Sequence, residues 1–258
     1  MSGFAAALWA ETLKLRRSKI LWLTAAGFCI LPLVAGLFMI ILKDPVAARE
    51  MGLISTKAQL SGASADWTGF FGIVTQGIAV AAMILFAINS AWIFGREFAD
   101  HTIKELMALP TSRGAIVLAK FLLLTAWSLL LALFVFGVGI AVGSMVGIPG
   151  WSMELVWDSF LRCILIAALH VCLLPAVALV ASMARGYLAP LGWTFLTLAL
   201  AQIVAALGWG ELFPWSVPVM FSGMAGAHAG TPGWTGVLLV LLTGAAAMLL
   251  TMRWWDRN

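Results

Sequence analysis

The chain has 258 residues and a formal net charge of +4, from 15 Lys and Arg against 11 Asp and Glu, with 63% hydrophobic and only 10% charged residues. Soluble domains are nearer half apolar and roughly a quarter charged, so this composition excludes a soluble globular protein, a disordered chain and a disulfide scaffold. Its apolar runs are long and continuous, unlike the short alternating strands of an outer-membrane barrel, which leaves an all-α integral membrane protein.

Residues 1–19 come first. At about 100° per residue, Phe4, Leu8, Trp9 and Leu15 share one side, while Lys14 and Arg17 lie on the other and Arg16 intrudes on the apolar arc. The pattern predicts an N-terminal amphipathic helix lying in the membrane interface, with its cations near anionic lipid.

Six apolar stretches then reach the ~20 residues that a bilayer requires. They run Ile20–Leu42, Phe70–Phe94, Ala115–Val146, Leu155–Met183, Leu188–Leu207 and Thr235–Met252. The first is too long for a signal-peptide core, so Val46-Ala47-Ala48 is read as ordinary sequence and not as a cleavage site. Pro175 predicts a kink in the fourth span. Cys29, Cys163 and Cys172 all sit in apolar runs and act as small hydrophobes.

Basic residues set the expected orientation. With six spans, 11 Lys and Arg fall on the side of both termini and only Lys43, Arg49 and Lys57 on the other, with Arg162 inside a span. Both termini are therefore expected in the cytoplasm. The tryptophans divide in the same way. Trp22, Trp92, Trp193, Trp254 and Trp255 are expected at the inner interface, and Trp67, Trp151, Trp157, Trp209, Trp215 and Trp234 at the outer one.

Between spans two and three, Glu97–Leu109 divides cleanly at helical period. Phe98, Ala99, Thr102, Ile103, Leu106, Met107 and Leu109 take one half, and Glu97, Asp100, His101, Lys104, Glu105 and Ala108 the other. Pro110 stops the helix. Its apolar face is expected to rest on the spans. The exposed mixed-charge face, with Glu97 included, suits a protein partner better than an anionic membrane surface. The loop 208–234 is too apolar for a solvated linker, and Glu211–Pro218 within it is expected to be a re-entrant or interfacial element on the outer side.

Several side chains within spans are candidates for a pathway. Asp158 and Arg162 stand four residues apart and are expected to pair on one helix face; Gln202 is a further candidate, and His170 is read as a satisfied buried histidine. The sequence holds no HExxH motif and no paired-carboxylate motif. Ser222, Gly223 and His228 share one loop, which is not a serine-protease arrangement. No catalytic, cofactor-binding or metal site is assigned.

The string Gly95-Arg96-Glu97, Thr102-Ile103-Lys104, Leu109-Pro110-Thr111-Ser112-Arg113 and Lys120 resembles the permeases of the ABC transporter type-2 family. Glu11-x-x-Lys14-Leu15-x-Arg17-Ser18 is similar to the family's opening helix, and Phe213–Pro218 to the outer element of permeases of the lantibiotic and bacitracin self-protection type. One departure is His101, where the family often has Gly. The resemblance implies that residues 1–258 form a single permease domain of an ATP-driven exporter in a bacterial plasma membrane. It also implies a coupling helix at 97–109, a second permease chain and a cytoplasmic ATPase. Glu97, Asp100, His101, Lys104, Glu105 and Arg113 would face that ATPase. The chain has no G-x-x-x-x-G-K-[ST] loop, so ATP and Mg are expected on the partner subunit, and nucleic acid is not an expected partner. An amphipathic peptide, antibiotic or lipid-like substrate is the family-level expectation. The competing readings are a secondary transporter, which would show inverted repeats and broken helices, and a non-transporting membrane assembly protein.

Overall fold

A computed structural model describes residues 3–44, 64–108, 110–224 and 232–257. Val46–Ala48, Arg49, Lys57, Leu109 and His228 lie outside the described residues. Among those described, the ordered elements are all helical. Helix α1 spans Gly3–Arg16 and α2 spans Ile20–Lys43. Then come α3 (Trp67–Ala99), α4 (Ile103–Met107), α5 (Arg113–Val146), α6 (Met153–Ala184) and α7 (Leu188–Ala206). Two 3₁₀ turns, Gly210–Leu212 and Pro214–Ser216, lead into α8 (Val217–Phe221), and α9 covers Trp234–Arg257. Six of these, α2, α3, α5, α6, α7 and α9, are long and apolar enough to cross a membrane.

Side-chain caps explain why three spans start outside the apolar runs. The Asp66 carboxylate accepts from Gly69 N at 2.8 Å, Ser112 Oγ from Ala115 N at 3.4 Å and Ser152 Oγ from Leu155 N at 3.1 Å. Each satisfies a backbone donor that the first helical turn leaves free. Pro175 lies inside α6, which runs without interruption from Met153 to Ala184.

Helix α6 is the centre of the bundle, and its largest interfaces are with α3 and α9. The contact with α9 depends on Gly244, where an added Cβ would stand 2.0 Å from the Cys172 carbonyl oxygen. The core contains Phe28, Phe70, Phe86, Phe94 and Trp255. Two of the tryptophans at span ends are buried within the protein. Trp67 is buried against Phe71 and Trp151, at ring separations of 5.2 and 4.7 Å, and Trp255 is fully buried. The reason is local. Trp67 sits over Gly143, where there is room for an indole, and Trp255 Nε1 donates to Ser182 Oγ at 3.0 Å. Trp22, Trp157, Trp209 and Trp234 are exposed.

The segment after α7 packs into the bundle. Ser216 Oγ donates to Ala201 O at 3.0 Å, and Val217, Pro218 and Val219 are buried. The Glu211 carboxylate accepts from Gly233 N and from Thr235 Oγ1, which ties this element to the start of α9.

Candidate functional site

Two elements sit at the end of the bundle that carries the basic residues. One is α1, which packs along α5. Its buried stripe is Ala7, Glu11 and Leu15, spaced by four, whereas Trp9 is 65% exposed. Of the arc of Phe4, Leu8, Trp9 and Leu15 read from hydropathy, Leu15 is buried against the bundle while Phe4 and Trp9 are exposed, on the side expected to face the membrane interface. The face against the bundle has an acid, Glu11, at its middle.

That acid has a specific partner. Lys120 lies on α5 roughly 10 Å inside its start, at 1.5 Å per residue, and its side chain is fully buried. Its ammonium has three protons, and three acceptors meet them: Glu97 Oε1 at 2.7 Å, Ile93 O at 2.8 Å and Glu11 Oε2 at 3.1 Å. The rings of Phe94 and Trp255 stand 5.9 Å from the same nitrogen. Lys14 completes the group by donating to Glu97 Oε1 at 2.9 Å and to Glu11 Oε1. Two carboxylates and two ammoniums therefore form an electroneutral cluster that joins α1, α3 and α5. Neutrality matters because a buried unpaired charge is costly in a low-dielectric setting. Burial alone would lower the Lys14 ammonium, but the Glu97 and Glu11 carboxylates outweigh it and hold its pKa above the ordinary lysine value. Lys14 therefore stays charged throughout the physiological range.

The second element is α4. The stretch Glu97–Leu109 is not one helix. Helix α3 runs on to Ala99, the chain turns at Asp100–Thr102 with His101 at φ +58°, and α4 covers only Ile103–Met107. This corrects the sequence expectation for Glu97. It belongs to the end of α3 and is 3% exposed, not part of an outward polar face. The physical reason is Lys120, a buried cation that needs a counter-ion. Asp100, His101, Lys104 and Glu105 are exposed, while Ile103, Leu106 and Met107 are partly buried against the core. Within α4 the two sides differ in this way, but Ala99 and Thr102, which angle puts in the apolar half, are exposed. Arg113 lies apart from that polar face. Its guanidinium donates to the carbonyls of Trp255 and Asp256, at 3.2 and 2.8 Å, and so caps the end of α9.

The other sequence candidates are scattered. Asp158 and Arg162 are both exposed on α6 and form no ion pair with each other. Gln202 is half-buried on α7 and lies on a different helix from that pair. His170 is buried on α6, with Nδ1 2.8 Å from Ile166 O. Among the described residues no group of three or more His, Cys, Asp or Glu side chains is placed to hold a metal. The site that sequence reasoning missed is the four-residue cluster. Its signal was Lys120 itself, a cation well inside an apolar run, where an ionisable group needs a partner.

Six membrane helices with a mixed-charge platform at one end fit the class of multi-pass membrane permeases. The chain belongs to the ABC-2 transporter family: residues 7–201 match the family described as ABC-2 family transporter protein. Glu11, Lys14, Glu97 and Lys120 all fall within that match. The chain is also similar to the bacitracin transport permease protein BCRB of Bacillus licheniformis, with 26% identity over 132 residues. That similarity spans 51% of this chain and 64% of the relative's length.

Proposed function

We propose that this chain is the membrane-spanning permease subunit of an ATP-driven ABC exporter, with both termini and α4 in the cytoplasm. One observation carries the reading. A short helix of mixed charge, with Lys104 and Glu105 exposed, sits between two spans whose adjoining ends are pinned together by the Glu97–Lys120 pair. A platform attached in this way transmits a push from a cytoplasmic partner into α3 and α5, where a floppy loop would absorb it. The partner is a separate ATPase subunit, which holds ATP and Mg. A second permease chain completes the transporter. When nucleotide binding closes the ATPase pair, α4 is displaced and the spans switch access.

The cargo is an amphipathic peptide, antibiotic or lipid-like molecule. This rests on family membership and on the relative named for bacitracin transport. It also accords with the apolar character of the segment 210–221 at the opposite end of the bundle.

The test is co-reconstitution of the chain with its ATPase partner, sought first in the neighbouring reading frame. ATP hydrolysis by the complex should rise on adding the cargo, and cargo should leave the compartment only when ATP is present. The pure chain should not hydrolyse ATP. Uptake or efflux driven by an ion gradient, with no ATPase present, would replace this reading with a secondary transporter.

A further inference from the structure

A cavity of about 480 Å³ lies beside the charge cluster, at the same end of the bundle. Three stretches of chain wall it: the end of α1 with the turn into α2, the last turns of α3, and the turn between α6 and α7. Four cations line it, Lys14, Arg17, Lys19 and Arg96, against a single acid, Asp100. Lys14 is neutralised by Glu11 and Glu97, and Arg96 donates to Asp100 at 3.2 Å. Arg17 and Lys19 are exposed and form no ion pair among the described residues. The cavity therefore carries an uncompensated charge of about two.

Helix ends add to this. Lys19 is the N-cap residue of α2 and Tyr187 that of α7, and neither side chain caps its helix. Both residues line the cavity, so the positive ends of two membrane-spanning helices converge on it. Trp92 gives an aromatic wall, with the Arg96 guanidinium 5.0 Å from its ring centre. The backbone comes close on this side too. A Cβ on Gly95 would lie 2.9 Å from Gly186 O, so the end of α3 and the α6–α7 turn are held in contact. The site is thus a built cleft and not a passing arrangement of surface lysines.

We propose that this cavity binds the phosphate of an anionic phospholipid headgroup. The chemistry it selects is a phosphate ester with net negative charge. Position chooses lipid over free phosphate. The cavity opens where spans begin and end, which is headgroup depth. Trp22 and Leu23, one turn into α2 past Lys19, are 79% and 65% exposed and give apolar surface at the depth of the acyl chains. Lys14 and Arg96 line both this cavity and a second one of about 330 Å³ that contains Glu97, Asp100 and Glu105. A bound phosphate therefore competes with Glu97 and Asp100 for the same cations and connects lipid composition to the charge cluster. The inference does not depend on the transport reading.

The test uses the full chain in nanodiscs of phosphatidylcholine doped with phosphatidylglycerol, with lipid retention read by native mass spectrometry after transfer to detergent. The wild-type chain should retain phosphatidylglycerol in preference to phosphatidylcholine. Arg17→Gln with Lys19→Gln should weaken that retention by roughly tenfold or more, the contribution expected of two interfacial cations. Asp100→Asn removes the one acid and frees Arg96, so it should strengthen retention severalfold, an outcome that misfolding cannot produce. Equal retention by wild type and the double variant would overturn the site. Displacement of phosphatidylglycerol by millimolar inorganic phosphate would assign the cleft to free phosphate and overturn the lipid reading.

Discussion

Lys120 Nζ lies 2.7 Å from Glu97 Oε1, and solvent reaches neither side chain to any extent: the first is 0% exposed and the second 4%. The pair links residues from the end of one span and the interior of the next. Breaking one partner of such a pair is expected to cost about 3–5 kcal/mol, because it leaves the other charge buried and unmatched. Lys120→Met should therefore lower the melting temperature in detergent sharply. Lys120→Met combined with Glu97→Gln should recover most of the loss. Glu97→Lys should destabilise as well, since it sets a third ammonium beside Lys14 and Lys120. A Lys120→Met protein that melts with the wild type would show that the cluster does not brace the fold.

His101 occupies left-handed backbone, with φ +58°. That conformation costs a non-glycine residue about 1–2 kcal/mol, and glycine returns part of the gain through the freedom of its unfolded chain. His101→Gly should be neutral or stabilising by up to about 1 kcal/mol. His101→Val should destabilise by a similar amount or more, because a β-branched side chain fits this region poorly. Limited proteolysis across residues 99–103, together with thermal melts, reads both. A valine variant as resistant as the wild type would mean that the turn does not require this geometry.

The exposed face of α4 should behave in the opposite way to Glu97. Lys104→Glu and Glu105→Lys alter solvated side chains, so stability should stay within about 0.5 kcal/mol of wild type. Under the proposed function, association with the ATPase should weaken and become more sensitive to salt. Leu106→Asp, on the packed side, should instead reduce folded yield. Wild-type ATPase association across both charge reversals would remove α4 from the docking surface.

Orientation is checked by labelling in a background where Cys29, Cys163 and Cys172 are replaced. A membrane-impermeant thiol reagent added to intact cells should modify Leu212→Cys and leave Lys104→Cys untouched until the membrane is permeabilised. Leu212 is 67% exposed and Lys104 is also exposed, so access is set by the membrane and not by burial. Rapid labelling of Lys104→Cys in intact cells would invert the topology.

Long uninterrupted apolar runs made the spans readable, since a bilayer imposes a length that needs no tertiary knowledge. Their ends were less readable, because capping by Asp66, Ser112 and Ser152 extends helices into polar sequence. Within Ile103–Met107 the partly buried and exposed sides follow the angular division, whereas Ala99 and Thr102 do not. The placement of Glu97 does not follow it either. By angle it belongs with Asp100 and Glu105, yet it is removed from solvent by a lysine 23 positions away. A helical wheel measures direction about one axis and contains nothing about a neighbouring helix. For the same reason it contained nothing about the side of α1 that packs on the bundle, where Ala7, Glu11 and Leu15 make the contact. Asp158 and Arg162 show the converse. Their spacing permits a pair, but exposure leaves no energetic need for one.

Gly244 limits how the bundle can move. Its Cα passes so near the Cys172 carbonyl that any Cβ there would stand 2.0 Å from the oxygen. Sliding α9 by about one turn along α6 would bring Val240 or Ala247, its neighbours on the same buried face, to that crossing, and either would drive a side chain into backbone. A one-turn slip between these two helices is therefore blocked, since packed interiors do not yield smoothly. Tilting as a unit remains open to them. The two helices form a keyed strut, and whatever rearrangement the membrane domain undergoes has to be carried by the helices that lean on it.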